Sequence, residues 1–571
     1  MLGRKVASYQ DVGRKKDKKV GIFYWTWHEH QTHKTPQSVQ KTLEKYPAAE
    51  YNINHPAWKD NRQCFWDEPL FGYYKNSDPY VLRKHAVLLA NAGIDFIVFD
   101  CTNGTCLWKD AYEPLLEEFK RAREDGIKTP QIAFMLNLFP AEELTYPMLR
   151  GIYQDLYKPG RYRDLWFMLD GKPLIMAYPE YIPQEGSGEH DTKFLNELRG
   201  FFTFRPGQPL YKGGPKRKDH WGWLEIFPQN KYGVRSDGSC EMVTVGVAQN
   251  ANDELICTYF NNRKTYGRSY TGRYGHKLLS EDSYLYGYNF QEQWDRAMDL
   301  DPDIIFITGW NEWIMGQFKE PWVKDPHSTQ IAFVDQFDKE HSRDIEMDRD
   351  GYKDTYYLQM VSNIRRFKGA GQPVPPSPPK TIDIQGGFDQ WEDVTTEFRN
   401  NKGTTLHRDY PGFKGYHYVN RTGRNDIVKA KVTHDKDMIY FYVETSKALS
   451  PSTDPNWMNL FIDTDRSKST GWEGYDFAVN RLSPQEGKAG IEKHLQGFEW
   501  ETVGQADIRI GERSLHIVVP KKILGLGQDF DIEFKWLDNM QKPDVMDFYE
   551  NGDAAPTGRF NYRYNTFYGK F

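Results

Sequence analysis

Cysteine is scarce in this chain: five in 571 residues, Cys64, Cys101, Cys106, Cys240 and Cys257. None forms a CxxC pair and no Cys/His cluster has zinc spacing, which excludes a zinc ribbon or finger and leaves the redox compartment unread. Cys101 and Cys106 are near enough in sequence to bridge, although nothing requires it. No apolar run approaches the roughly 20 residues of a membrane-spanning helix. No signal-peptide core follows Met1, and the start Met-Leu-Gly-Arg-Lys fits a chain whose signal has been removed. An excess of either charge is also missing. With 74 basic against 80 acidic residues the net charge is −6, so no basic field invites nucleic acid. The first apolar run ends in WTWHEH rather than a glycine-rich turn, which argues against a dinucleotide-binding sheet. HEH also lacks the HExxH spacing of a zinc protease, so no metal is expected there.

Aromatic residues are plentiful, at 15% with 17 Trp and 36 Tyr. Such side chains stack on sugar rings, or fill a large core. Eight short apolar runs follow a basic arm at 1–18: 20–27, 93–100, 131–138, 172–179, 221–229, 242–250, 303–313 and 331–337. Near-continuous apolar runs are the mark of parallel strands buried on both faces. Helical patterns at 78–92, 111–125, 290–300 and 356–368 lie among them. The expected fold is α/β, a (β/α)8 TIM barrel over 19–368. A Pro-rich linker, 369–380, then leads to an all-β antiparallel sandwich over 381–571.

Catalytic groups in a barrel sit at the carboxyl ends of its strands. The polar residues ending the runs are His28, Glu29, Asp100, Asn137, Glu225, Gln229, Asn250, Asn311, Glu312, Asp335 and Asp338. A set rich in Asp, Glu, Asn and His beside Trp suits sugar hydrolysis, which needs two carboxyl groups around one glycosidic bond. Glu312 in GWNEW (309–313) is the leading candidate, because its tryptophans can exclude water and raise a carboxyl pKa. Glu225 in WGWLEIFPQ is its expected partner, with a structural carboxylate as the equal alternative. Expected sugar contacts are Trp25, His28, Asp100, Asn137, Gln229, Asn250, Arg268, Trp310, Asn311 and Trp313. For Arg268 an exposed loop is an equal alternative, Glu292 reads as a first-turn helix residue, and SRDIE (342–346) reads as a salt-bridged turn.

From GWNEW onward the chain resembles glycoside hydrolase families 71 and 99. The carrying stretches are ITGWNEWIMGQFKEP (307–321), DPYVLRKHAVLLANAGIDFIVFDCTNG (78–104) and GIFYWTW (21–27). That resemblance implies a barrel acting on polysaccharide or glycan. In family 99 the first Glu of NEWHEG assists the sugar 2-hydroxyl and the second is the general acid. Glu312 matches the first, whereas the second falls on Met315, which carries no proton. The C-terminal part resembles family 9 carbohydrate-binding modules through LFIDTDRSKSTGWEGYDFAVNR (460–481). There Trp457, Trp472 and Tyr475 either stack on sugar or are buried. Asp463 and Asp465 either begin a structural calcium site or shape a tight turn.

The expectation is a secreted, periplasmic or cell-surface bacterial glycoside hydrolase, monomeric and without a catalytic cofactor, whose partner is a glycan substrate. The alternatives are a glycan-binding protein on a barrel that has lost its acid, and a barrel associated with polysaccharide biosynthesis.

Overall fold

The computed structural model describes residues 5–28, 36–59, 63–210, 212–249, 251–254, 259–261, 265–273, 280–319, 323, 325 and 327–568. The chain forms two compact units. The first comprises 1–121, 128–370 and 411–417; the second comprises 122–127, 371–410 and 418–571.

The first unit is mixed α/β. Its strands are β1 (Lys19–Tyr24), β2 (Gln63–Phe65), β3 (Phe96–Asp100), β4 (Gln131–Met135), β5 (Met168–Leu169), β6 (Lys172–Met176) and β7 (Thr203–Phe204). Then follow β8 (Gly207–Gln208), β9 (Trp221–Gly222), β10 (Met242–Gly246), β11 (Ile304–Thr308), β12 (Ile314–Phe318) and β13 (Ala332–Phe333). One curled sheet runs β10–β11–β1–β3–β4–β6–β7 with every ladder parallel, and β5 hangs antiparallel on β6. β8 and β9 form a separate parallel pair. Among the described residues no ladder joins β9 to β10, and the sheet is not a closed ring of ladders.

All five residues of β3, β10 and β11 are buried, as strands covered on both faces must be. Helices follow most strands, at Lys109–Glu124, Glu142–Ile152, Thr192–Phe201, Tyr288–Leu300 and Thr355–Lys368. The helix before β3, Pro79–Ala92, shows why its ends fall where they do. Asp78 accepts the Tyr80 N–H at 3.0 Å, Pro79 takes the first position, and Gly93 closes it at φ 84°.

Two strand assignments change. Residues 331–337 contribute only β13, antiparallel to β12 in a three-stranded sheet with β2. The missing parallel strand is 203–208, where Arg205 and Pro206 interrupt any apolar run. β11 therefore lies directly between β10 and β1, which sets the GWNEW loop beside the end of β1. The arm at 1–18 is not free in its described part. Ala7 N–H donates to Ser362 Oγ and Lys16 N–H to the Lys368 carbonyl, along the Thr355–Lys368 helix.

The second unit holds one long antiparallel sheet of eleven strands, whose buried faces share a core of Phe441, Ile462, Ile491, Ile517, Phe534 and Trp536. The Pro-rich stretch is not a bare spacer. Ser377 and Thr396 exchange hydrogen bonds of 2.6 and 2.8 Å within this unit. Among the described residues no helix is long and apolar enough to cross a membrane.

Candidate active site

After Thr308 the chain turns through Gly309 into Trp310–Trp313. A Cβ on Gly309 would come within 2.2 Å of the Trp25 ring, so glycine is what lets the loop pass this close to β1. Asn311 then clasps the same segment. Its Oδ1 accepts the Trp25 N–H at 2.9 Å and its Nδ2 donates to the Trp25 carbonyl at 3.1 Å. The Asn311 carbonyl accepts from His28 Nε2 at 2.7 Å, while Asn76 Nδ2 donates to His28 Nδ1 at 3.2 Å. Burial pushes the His28 imidazole down to about 3, which keeps it neutral and suits one ring donor and one ring acceptor.

The two tryptophans are core. Trp313 stacks on Trp66 at 5.1 Å and donates to Glu346 Oε2 at 2.6 Å, and Trp310 meets His85 edge-on at 5.5 Å. Glu346 Oε1 is 2.7 Å from His85 Nε2, and Oε2 also accepts the Tyr74 hydroxyl at 2.7 Å. Trp25, His28, Asn311, Trp310 and Trp313 thus build the loop's footing and have no more than 1% of their surface exposed, against the sugar contacts expected of them.

Glu312 differs. Its N–H donates to Asp344 Oδ1, and its Oε2 accepts from Arg343 Nη2 at 2.7 Å and Gln336 Nε2 at 3.1 Å. The same Arg343 nitrogen donates to Asp335 Oδ1 at 3.2 Å, so one guanidinium NH2 group ties the two carboxylates together. Gln336 Oε1 in turn accepts the Arg343 N–H at 2.7 Å. Glu312 has only 4% of its side chain exposed, whereas Asp335 has 42%. Burial pushes Glu312 well above the usual carboxylate range. Arg343 opposes that shift, and Asp335, Asp344 and Asp100 add to it. Asp344, which accepts Trp66 Nε1 at 2.7 Å, is pushed up to about 7 by burial. Trp223, half-buried, lies 5.6 Å from the Arg343 guanidinium.

Asp100 belongs to the same electrostatic neighbourhood. It accepts Trp27 Nε1 at 2.7 Å and the Thr102 hydroxyl at 2.8 Å; burial raises its pKa and Asp335 adds to the shift. The other expected residues sit elsewhere. Glu225 has no exposed surface, and both its oxygens are taken within its own loop by Asn230 N at 2.7 Å, Asn230 Nδ2 at 2.8 Å and Tyr232 OH at 2.7 Å. This is the structural carboxylate, and none of its donors is shared with Glu312. Gln229 spans the carbonyls of Thr244 and Gln293, and Asn137 pins those of Thr102 and Gly104. Arg268 is wholly buried between the Tyr352 and Tyr356 rings at 4.4 and 4.2 Å and donates to Ser342 and the Asp344 carbonyl. Asn250 lies outside the described residues. Met315 is 1% exposed in β12, opposite Cys64.

Sequence reasoning left Asp335 among the run-end polar residues without a role and treated 342–346 as a structural turn. The available signal was SRDIE itself, which places an arginine and two acids after a run already ending in Asp335.

In the second unit Trp457, Trp472 and Tyr475 are buried, Trp472 against Phe461, Phe498 and Phe548. Asp476 joins Asp463 and Asp465, with one oxygen of each within 4.8 Å of the others. Lys468 Nζ holds Asp463 at 2.9 Å and the Thr464 hydroxyl donates to Asp476 at 2.6 Å. Among the described residues no disulfide joins Cys64, Cys101, Cys106 and Cys240, and Cys257 lies outside the described residues.

No protein-family profile matches the chain, and no curated protein does. Solved structures similar to it include an endo-α-mannosidase of glycoside hydrolase family 99 from Bacteroides thetaiotaomicron. The identity is 13% and the TM-score 0.36, with 62% of this chain and 98% of that one covered. A glycoside hydrolase of family 5 from Bacteroides vulgatus matches at 10% identity and TM-score 0.20, over 77% of this chain and 85% of its own. The structural neighbours are glycoside hydrolases at a distance too great to carry an activity.

Proposed function

We propose that the first unit is a glycoside hydrolase on a (β/α)8 frame, cleaving polysaccharide or glycan with Glu312 and Asp335 as its two carboxyl groups. One observation carries this reading. A carboxyl whose pKa is pushed up by burial shares an arginine nitrogen with a carboxylate whose side chain is 42% exposed, at the carboxyl end of a parallel strand. Both donors to Glu312 converge on Oε2, which leaves Oε1 to carry a proton to the leaving glycosidic oxygen. Asp335 faces the other side of the reaction, as base toward water or as nucleophile toward the sugar. Trp223 offers a half-buried aromatic face beside them. Glu225, the partner expected from sequence, is replaced in this scheme by Asp335. A polysaccharide substrate also agrees with a chain working outside the cytoplasm.

A second reading, a glycan-binding protein that does not hydrolyse, is favoured by Met315, which is buried where the resemblance wants an acid. One experiment separates the two. The parent, Glu312→Gln and Asp335→Asn are screened on a panel of plant, algal and host glycans. Hydrolysis by the parent that both variants lose, with binding retained, supports the enzyme. Binding without hydrolysis by the parent supports the second reading.

A further inference from the structure

A cavity of about 780 Å³ opens in the first unit away from Glu312, between the Val39–Lys45 helix, the turn at 55–59 and the segment 411–417. Among the described residues its lining includes Lys41, Lys45, Lys59 and Lys414 and no Asp or Glu. Lys41 is engaged by Glu68 at 2.9 Å and Asp350 at 3.5 Å. Lys45 and Lys414 are exposed and give the wall positive charge, with Lys59 beside them. Two tyrosines flank them: Tyr46 is 42% exposed, with the Lys45 ammonium 5.3 Å from its ring, and Tyr416 is 39% exposed. Exposed aromatic faces beside ammonium groups suit a ligand with flat apolar faces and anionic groups.

The cavity is also connected to the candidate active site. Phe65 N–H donates to the Gln37 carbonyl and Gln40 N–H to the Trp66 carbonyl, each at 3.0 Å. Trp66 stacks on Trp313, the neighbour of Glu312, and Cys64 pairs with Met315. The strand Gln63–Phe65 and Trp66 after it therefore connect the two places.

We propose that this lysine- and tyrosine-lined cavity is a distal binding site for a negatively charged stretch of glycan, bearing sulfate esters or uronates. The idea rests on the glycan reading of the Glu312 site for its sugar component alone. The charge-reversed variant Lys45→Glu/Lys414→Glu alters two exposed side chains and is expected to fold as the parent does. Binding is measured by titration calorimetry with dextran sulfate oligosaccharides, uncharged dextran of the same length, and polyphosphate of matched charge. The parent should bind the sulfated sugar above both controls, the double variant should bind it about ten-fold more weakly, and Glu312→Gln should bind it unchanged. Tyr46→Ala should weaken the sulfated sugar and leave polyphosphate as it was. Equal affinity of parent and double variant for the sulfated sugar overturns the site, and so does equal affinity of the parent for polyphosphate. If no glycan is hydrolysed but the double variant binds more weakly, the active-site reading fails and this one stands. The reverse outcome separates them the other way.

Discussion

Glu225 and Glu312 look alike on paper, each a glutamate behind an apolar run and beside tryptophan, and each ends up buried. What differs is who donates to them. Glu225 is satisfied by neutral groups five and seven residues away, all within one loop, and both its oxygens are engaged. Glu312 is met by a guanidinium and an amide from 24 to 31 residues on, through a single oxygen, and its cation is shared with an exposed acid. A carboxylate closed on its own loop fixes that loop. A carboxyl held from elsewhere with one oxygen left over can exchange a proton.

This contrast can be tested where it is largest. Glu312→Gln should lower glycan hydrolysis by about 10²- to 10⁴-fold with little change in thermal unfolding. If Glu225→Gln matches that loss while remaining folded, the contrast is broken. Next in size is Arg343→Gln, expected to cost about ten- to hundred-fold in kcat/KM. Because Arg343 holds the Glu312 pKa down, its removal should move the alkaline limb of the pH–rate profile upward; a downward move would contradict Glu312 as the proton donor. Glu225→Gln should instead cost about 1–3 kcal/mol of stability, read by chemical denaturation, with turnover near that of the parent.

The smallest effect concerns the loop's footing. His28 is depressed from 6.5 to about 3, so its contribution to stability is present above 6.5 and is lost as the pH falls toward 3. The midpoint of thermal unfolding should therefore drop with acid more steeply in the parent than in His28→Gln. Parallel curves would show that the imidazole is not held neutral.

The long strands were legible in the chain because β3, β4, β6, β10 and β11 are short unbroken apolar runs between helices. Residues 203–208 were not, since Arg205 and Pro206 hide a strand made of two paired dipeptides. The run 331–337 misled for the opposite reason: it is apolar because it packs on β12, not because it joins the parallel sheet. For the site, position at a strand end pointed correctly to Glu312. It did not separate residues that face a cleft from residues that hold the loop, because Asn311, His28 and Gln229 spend their polar atoms on backbone groups made visible only by folding. Arg343 escaped because a charged turn carries no periodic signal.

The loop bearing Glu312 is fastened to Trp25 through Asn311, to Asp344 through its own backbone, and to Glu346 through Trp313. Trp25 lies 286 residues before its partner Asn311, whereas Asp344 and Glu346 lie 32 and 33 residues after theirs. A ribosome must therefore deliver the chain through residue 346 before all three anchors can lock, and closing the long loop back to Trp25 is slow. A fragment ending earlier would contain the whole GWNEW motif and still be inert, so fusions, truncations and nicking sites in this protein have to be chosen by where the anchors lie rather than by where the motif does.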